Sequence, residues 1–210
     1  MSRTMDILNR QQYQFTRNWF LNRNLSTFRE YIHPQWQGTP INYLEIGVFE
    51  GMSMVWMLQH VLTHEGSYAV GIDPWLMTTK LDGQVMEEVR QRAVHNVSEG
   101  FVANKCKLIR GNSAEVLRKM NSRRGFAGIG KGKVDLCMID GNHNAYAAYD
   151  DAEQCLALMK SGGWILFDDV ENDKKKTDHV KQGLEIFLSK YKDHVQLCWK
   201  HRYMECYEVK

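Results

Sequence analysis

The chain alternates short apolar runs with longer segments of mixed polarity, the pattern of strands buried in a sheet and helices laid against it. The apolar runs predict strands over Tyr43–Ile46, Tyr68–Ile72, Lys107–Arg110, Val134–Ile139 and Trp164–Phe167. Helical segments fall between and after them, at Met54–Leu62, about Val85–Val97, Ser113 to about Met120, about Tyr146–Met159 and about His179–Tyr191. Two last strands, Val195–Trp199 and Tyr203–Val209, predict an antiparallel edge hairpin. Such alternation specifies an α/β three-layer sandwich with a mostly parallel seven-stranded sheet and helices on both faces. Residues 1–40 read differently. They are polar and aromatic, and Phe15, Trp19, Phe20, Leu25, Phe28, Tyr31 and Ile32 suggest short helices capping a domain that runs from 41 to 210. Thr27 and Glu30 have the spacing of a capping box. This segment packs on the sheet by default; covering a pocket or mediating a homodimer are the alternatives.

The first strand leads into Tyr43-Leu-Glu-Ile-Gly-Val-Phe-Glu-Gly-Met-Ser53, a turn through glycines into a helix. In Rossmann-like folds this turn holds a nucleotide cofactor: Gly47 and Gly51 let the backbone approach a ligand, and the helix start attracts an anion. Phe49 stands where a dinucleotide fingerprint needs its second glycine, so a pyrophosphate is excluded and a nicotinamide-dependent dehydrogenase ranks low. Glu45 at the strand end suggests instead a place for an ammonium group beside the anion site. S-adenosylmethionine carries both an ammonium and a carboxylate. The expected cofactor contacts are Glu45, Gly47, Val48, Phe49, Gly51 and Ser53.

Ligands of such sheets bind beyond the carboxyl ends of the strands. Asp73, at the second strand end, lies about 20 residues past the glycine turn, where an acidic side chain meets ribose hydroxyls. Trp75 would flank the adenine, and Asn112 and Ser113 after the third strand would meet its edge. Asp73 also reads as a turn residue before proline, and Ser113 as a plain helix cap. Asp140, a further expected cofactor contact, follows the fourth strand, and Asp168 and Asp169 the fifth. Three neighbouring carboxylates repel one another unless a cation sits among them. An oxygen-only set favours Mg2+ or Mn2+ over zinc. His143, three positions after Asp140, is the candidate general base, since an imidazole takes up a proton near neutral pH.

Composition narrows the class. The chain has 210 residues and a net charge of +2, which fits one domain and gives no electrostatic reason to expect nucleic acid or a membrane surface. Five cysteines without C-x-x-C spacing read as reduced core residues of a cytoplasmic protein, and no apolar run suggests a leader or a membrane span. Two basic segments would receive an anionic acceptor if they faced the site: the loop Asn121–Lys133, with Arg123, Arg124, Lys131 and Lys133, and the run Lys174, Lys175, Lys176. Solvated loops are the plainer reading of both.

The form Glu45-Ile-Gly47-x-x-x-Gly51-x-Ser53 resembles the first motif of class I S-adenosylmethionine-dependent methyltransferases, especially catechol O-methyltransferase and its bacterial relatives. With Asp140-Gly-Asn-His143-x-x-Tyr146 and Gly162-Gly-x-Ile-x-Phe-Asp168-Asp169, the chain is similar to the methyltransferase domain 24 family and to sugar O-methyltransferases of macrolide assembly. The likeness is strong over about Ile41 to Val170 and weak elsewhere. It implies transfer of a methyl group to a small hydroxylated acceptor, sugar or phenol-like, with Mg2+ or Mn2+ on Asp140, Asp168 and Asp169. Catechol O-methyltransferase has a lysine where this chain has His143 and Asp-Asn where it has Asp168-Asp169, which puts a catechol preference in doubt. Base methylation is disfavoured because Ile139-Asp-Gly-Asn lacks the Pro-Pro signature of amino methyltransferases. A metal-independent methyltransferase and a noncatalytic cofactor-binding or partner-binding module are the competing readings.

Overall fold

The computed structural model describes residues 12–76, 83–99, 104–170 and 179–210. Helix α1 (Trp19–Arg23) and α2 (Leu25–Thr27) lead through a π-helical turn, Phe28–Ile32, into α3 (His33–Trp36). Then follow β1 (Asn42–Ile46), α4 (Met52–His60), β2 (Tyr68–Asp73), α5 (Gly83–Glu99), β3 (Cys106–Arg110), α6 (Ser113–Met120), β4 (Val134–Ile139), α7 (Ala145–Leu156), β5 (Met159–Phe167), α8 (His179–Tyr191), β6 (Val195–His201) and β7 (Met204–Val209). The sheet order is β3-β2-β1-β4-β5-β7-β6, with β7 antiparallel to both neighbours. This is the expected Rossmann-like α/β sandwich with its closing hairpin.

Period-two alternation sorts the strand residues into two cores. Leu44, Ile46, Val70, Ile72, Cys137, Ile139 and Phe167 face α6, α7 and α8. Tyr43, Ala69, Leu136, Met138, Leu166 and Cys206 face α4 and the N-terminal helices. Those helices do pack on the sheet: Phe20, Phe28 and Ile32 are buried there, and Phe28 meets Trp56 edge to face at 5.7 Å. Segment 12–36 is therefore continuous with the second core layer. Among the described residues no helix is long and apolar enough to cross a membrane.

Several local expectations are corrected. Thr27 does not open a helix; it lies inside the N-terminal helical run, and its hydroxyl bonds His201 Nδ1 at 2.8 Å. Asn112, extended at φ −64° and ψ 132°, is the N-cap of α6, so Ser113 is its first helical residue. Helix α7 ends at Leu156 and β5 starts at Met159, because the polar stretch Lys160-Ser-Gly-Gly hid the beginning of that strand. The loop 121–133 leads into the start of β4, the end opposite Asp140, so it cannot line a site at the strand exits. It borders shallow surface grooves of about 680 and 620 Å³ near Arg118 and Arg124. Lys174, Lys175 and Lys176 lie outside the described residues.

Candidate functional site

The exits of β1, β2, β4 and β5 converge because their parallel registers end together. Asp140 N donates to Ile46 O at 2.9 Å, Asp168 N to Ile139 O at 3.1 Å, and Gly47 N to Ile72 O at 2.9 Å. Gly47 has φ +89°, and a Cβ there would lie 1.8 Å from the Asp140 carbonyl oxygen. Only glycine allows β1 to turn against β4 at that separation. Gly51, at φ +80°, is the left-handed cap that starts α4.

The turn between them is held from beneath by Asp73. Its carboxylate accepts Phe49 N at 2.9 Å through one oxygen and Trp75 N at 2.7 Å through the other. Burial raises the Asp73 carboxyl, and these backbone donors oppose the shift. Phe49 and Trp75 are strained, with φ of 51° and 41°, and are tied by Trp75 Nε1 donating to Phe49 O at 2.9 Å. Each Asp73 oxygen keeps a second lone pair, so a ribose hydroxyl can still be accepted. Trp75 is 2% exposed and packs with Val48, Met86 and Val89, so its ring belongs to the core around the turn.

Glu45 does not stand open to an ammonium group as its sequence position suggested. It is fully buried, accepts Ser53 Oγ at 2.5 Å and Tyr43 Oη at 2.8 Å, and burial pushes its carboxyl up to about 7. Asn112 is exposed at the β3 exit, and the Ser113 hydroxyl bonds Asp151, a buried carboxyl raised to about 6. Asp151 was missed from sequence because nothing in Tyr149-Asp-Asp-Ala distinguishes it from its half-buried neighbour Asp150.

At the other half of the rim the carboxylates part ways. Asp168 is engaged at both oxygens, by Asn24 Nδ2 at 2.6 Å and by Asp169 N at 2.8 Å. Burial, then the neighbouring Asp169 charge, raises it to about 6. Asp140 is raised well above the carboxylate range by loss of water, then by Asp168 and Asp169. Asp169 adopts φ +57°, which turns its side chain toward Arg23 Nη2 at 2.7 Å and His143 Nε2 at 3.4 Å. His143 Nε2 is also 4.0 Å from Asp140 Oδ1, and the His143 side chain is 54% exposed. Its loop is shaped by Asn142 Oδ1 accepting Asn144 N, and Asn144 in turn caps α7 by accepting Tyr146 N, both at 3.0 Å.

The compact group is thus Asp140, His143 and Asp169, whose ligand atoms lie within 4.8 Å of one another, rather than the three aspartates expected. Two carboxylates and an imidazole fit a divalent cation, Mn2+ more readily than the strongly oxygen-preferring Mg2+. Asp168 can join only through second lone pairs. Arg23 and Asn24, which sequence reasoning missed, reach the rim across 146 and 144 positions of the chain.

A doubly wound sheet with this strand order, turning through glycines beside a buried acidic strand end, defines the methyltransferase class of Rossmann-like proteins. Residues 44–170 match the family model described as a methyltransferase domain, and the chain belongs to that family. Among solved structures, it is similar to an O-methyltransferase from Bacillus cereus in complex with SAH. That match has a TM-score of 0.64 and 17% identity and covers 99% of this chain and 84% of that one. It is also similar to the O-methyltransferase TomG from Streptomyces achromogenes, in complex with SAM. Here the TM-score is 0.59 and the identity 17%, over 80% of this chain and 73% of that one. At such identities the likeness shows the fold. No match was found among curated proteins.

Proposed function

We propose that the protein transfers the methyl group of S-adenosylmethionine to a hydroxyl of a small acceptor. The observation that carries this reading is the pairing of two half-sites on one rim: the Asp73-braced glycine turn, and the Asp140, His143 and Asp169 group. The relatives described in complex with SAM or SAH support the cofactor. Ser53, at the start of α4, binds the methionine end, Asp73 a ribose hydroxyl, and Asn112 and Ser113 the adenine edge.

His143 accepts the acceptor's proton. With its Nε2 facing Asp169, the imidazole keeps Nδ1 as the basic nitrogen, and Asp169 stabilises the charge that develops. Holding both reactants in line can contribute roughly 7 to 11 kcal/mol. Asp140 and Asp169, with Asp168 beside them, would hold Mg2+ or Mn2+, which leaves the His143 imidazole to take the proton. Such an ion, when bound, lowers the pKa of a hydroxyl and aims its oxygen. Calorimetry with SAM and SAH, followed by a screen of sugars and phenols with and without chelator, tests the reading. Binding of neither cofactor would remove its foundation; binding without turnover of any acceptor would favour a noncatalytic module.

A further inference from the structure

We propose that Arg23 is the resident cation of the acidic rim, and that a divalent metal binds Asp140 and Asp169 only in exchange for it. The inference rests on the reading above, in which this rim serves the acceptor. Its basis is the position of the N-terminal segment. Thr16 donates through N and Oγ1 to Glu50 at 2.7 and 2.8 Å, and Trp19 lies on Phe49 at 4.9 Å between ring centroids. Phe20 is buried in the core below. These anchors leave Arg23 directed at the rim, where it meets Asp169 at 2.7 Å and lies 4.4 Å from the centroid of the Tyr203 ring. The Arg23 side chain is 29% exposed and that of Asp169 9%, so the pair is partly withdrawn from water.

Three observations favour exchange over coexistence. Arg23 is ion-paired with Asp169 Oδ1 without forming a hydrogen bond to it, while His143 faces Oδ2, so the charge of the one carboxylate shared by the ion pair and the metal-like group is already engaged. A dication on Asp169 would stand within a few ångströms of the guanidinium, and like charges at that separation repel. Asn24, the next residue, is 5% exposed and bonds Asp168, yet its Oδ1 has no hydrogen-bond partner among the described residues. The arrangement seen here thus leaves a buried acceptor unsatisfied beside the carboxylates, as expected of one of two alternative states. The Tyr203 ring packs on the guanidinium in this same arrangement and helps to hold it on Asp169.

The test is direct Mn2+ binding, followed by electron paramagnetic resonance of the free ion, on the full chain. Arg23→Gln should bind Mn2+ about 5- to 150-fold more tightly than wild type, the range of ordinary coupling between competing ligands. Arg23→Lys, which keeps the charge, should stay within a few-fold of wild type. Adding Asp169→Asn to Arg23→Gln should abolish the gain. Tyr203→Leu loosens Arg23 without touching a carboxylate and should also tighten Mn2+ binding, which keeps the question open to test if Arg23→Gln does not fold. Equal Mn2+ affinity in wild type, Arg23→Gln and Tyr203→Leu overturns the proposal, as does a gain that survives Asp169→Asn. SAH calorimetry on the same proteins separates the two ideas: lost SAH binding in every protein strikes at the methyltransferase reading, whereas unchanged SAH binding with flat Mn2+ affinities strikes only at Arg23.

Discussion

The carbonyl oxygen of Asp140 stands 1.8 Å from the point where a side chain on Gly47 would begin, so the glycine turn after β1 and the acidic rim after β4 are pressed together. Gly47→Ala combines this clash with a left-handed φ of +89° and should cost about 3 kcal/mol, lowering Tm by roughly 6 to 12 °C. Gly51→Ala, at φ +80° but with its nearest neighbour Val97 Cγ2 at 3.3 Å, should cost less. Thermal unfolding of the two variants checks the order, and a Gly47→Ala protein as stable as wild type would contradict the geometry.

Asp73→Ala removes both anchors of the turn, the bonds to Phe49 N and Trp75 N. SAH affinity should fall about tenfold or more, the worth of one charge-assisted hydrogen bond at roughly 1.5–3 kcal/mol. Calorimetry measures this; unaltered affinity would place the ribose elsewhere.

These two residues show what the sequence makes legible. Gly47 and Asp73 are read from local pattern, because a glycine after a buried strand and an acidic residue ending the next strand are constrained by backbone geometry within their own segments. The same holds for the seven strands, whose apolar runs survive as the two cores. Arg23 and Asn24 are different. Their partners lie far along the chain, and an Asn-Arg-Asn stretch at the end of a short aromatic helix carries no sign of them. Glu45 was legible as important but not in its role, since sequence cannot say that Tyr43 and Ser53 would close over it.

His143→Ala should slow turnover by about 10²- to 10⁴-fold while leaving SAH affinity nearly intact. Single-turnover kinetics with a productive acceptor would decide it. Equal turnover in the variant would transfer the proton-accepting role to another group.

Glu45 makes stability depend on pH. Its carboxyl moves from 4.5 to about 7 on folding, so between those values the folded protein holds more protons than the unfolded chain. Stability therefore falls as pH rises through that window, by about 3 kcal/mol from this residue alone. In Glu45→Gln the drop in Tm between pH 5 and pH 8 should be smaller than in wild type. Parallel curves for the two proteins would show that Glu45 is not protonated in the fold.

The bond from Asn24 to Asp168 joins residues 144 positions apart, and this has a temporal meaning during synthesis. At about 5 to 20 residues per second, Asn24 is added to the chain roughly 7 to 29 s before its partner. Until then the aromatic N-terminal helices have neither Asp168 nor the late strands β5 and β7 to rest on, and must be kept from other apolar surfaces. The rim that the chain's first helices complete is thus among the last parts of the molecule to form.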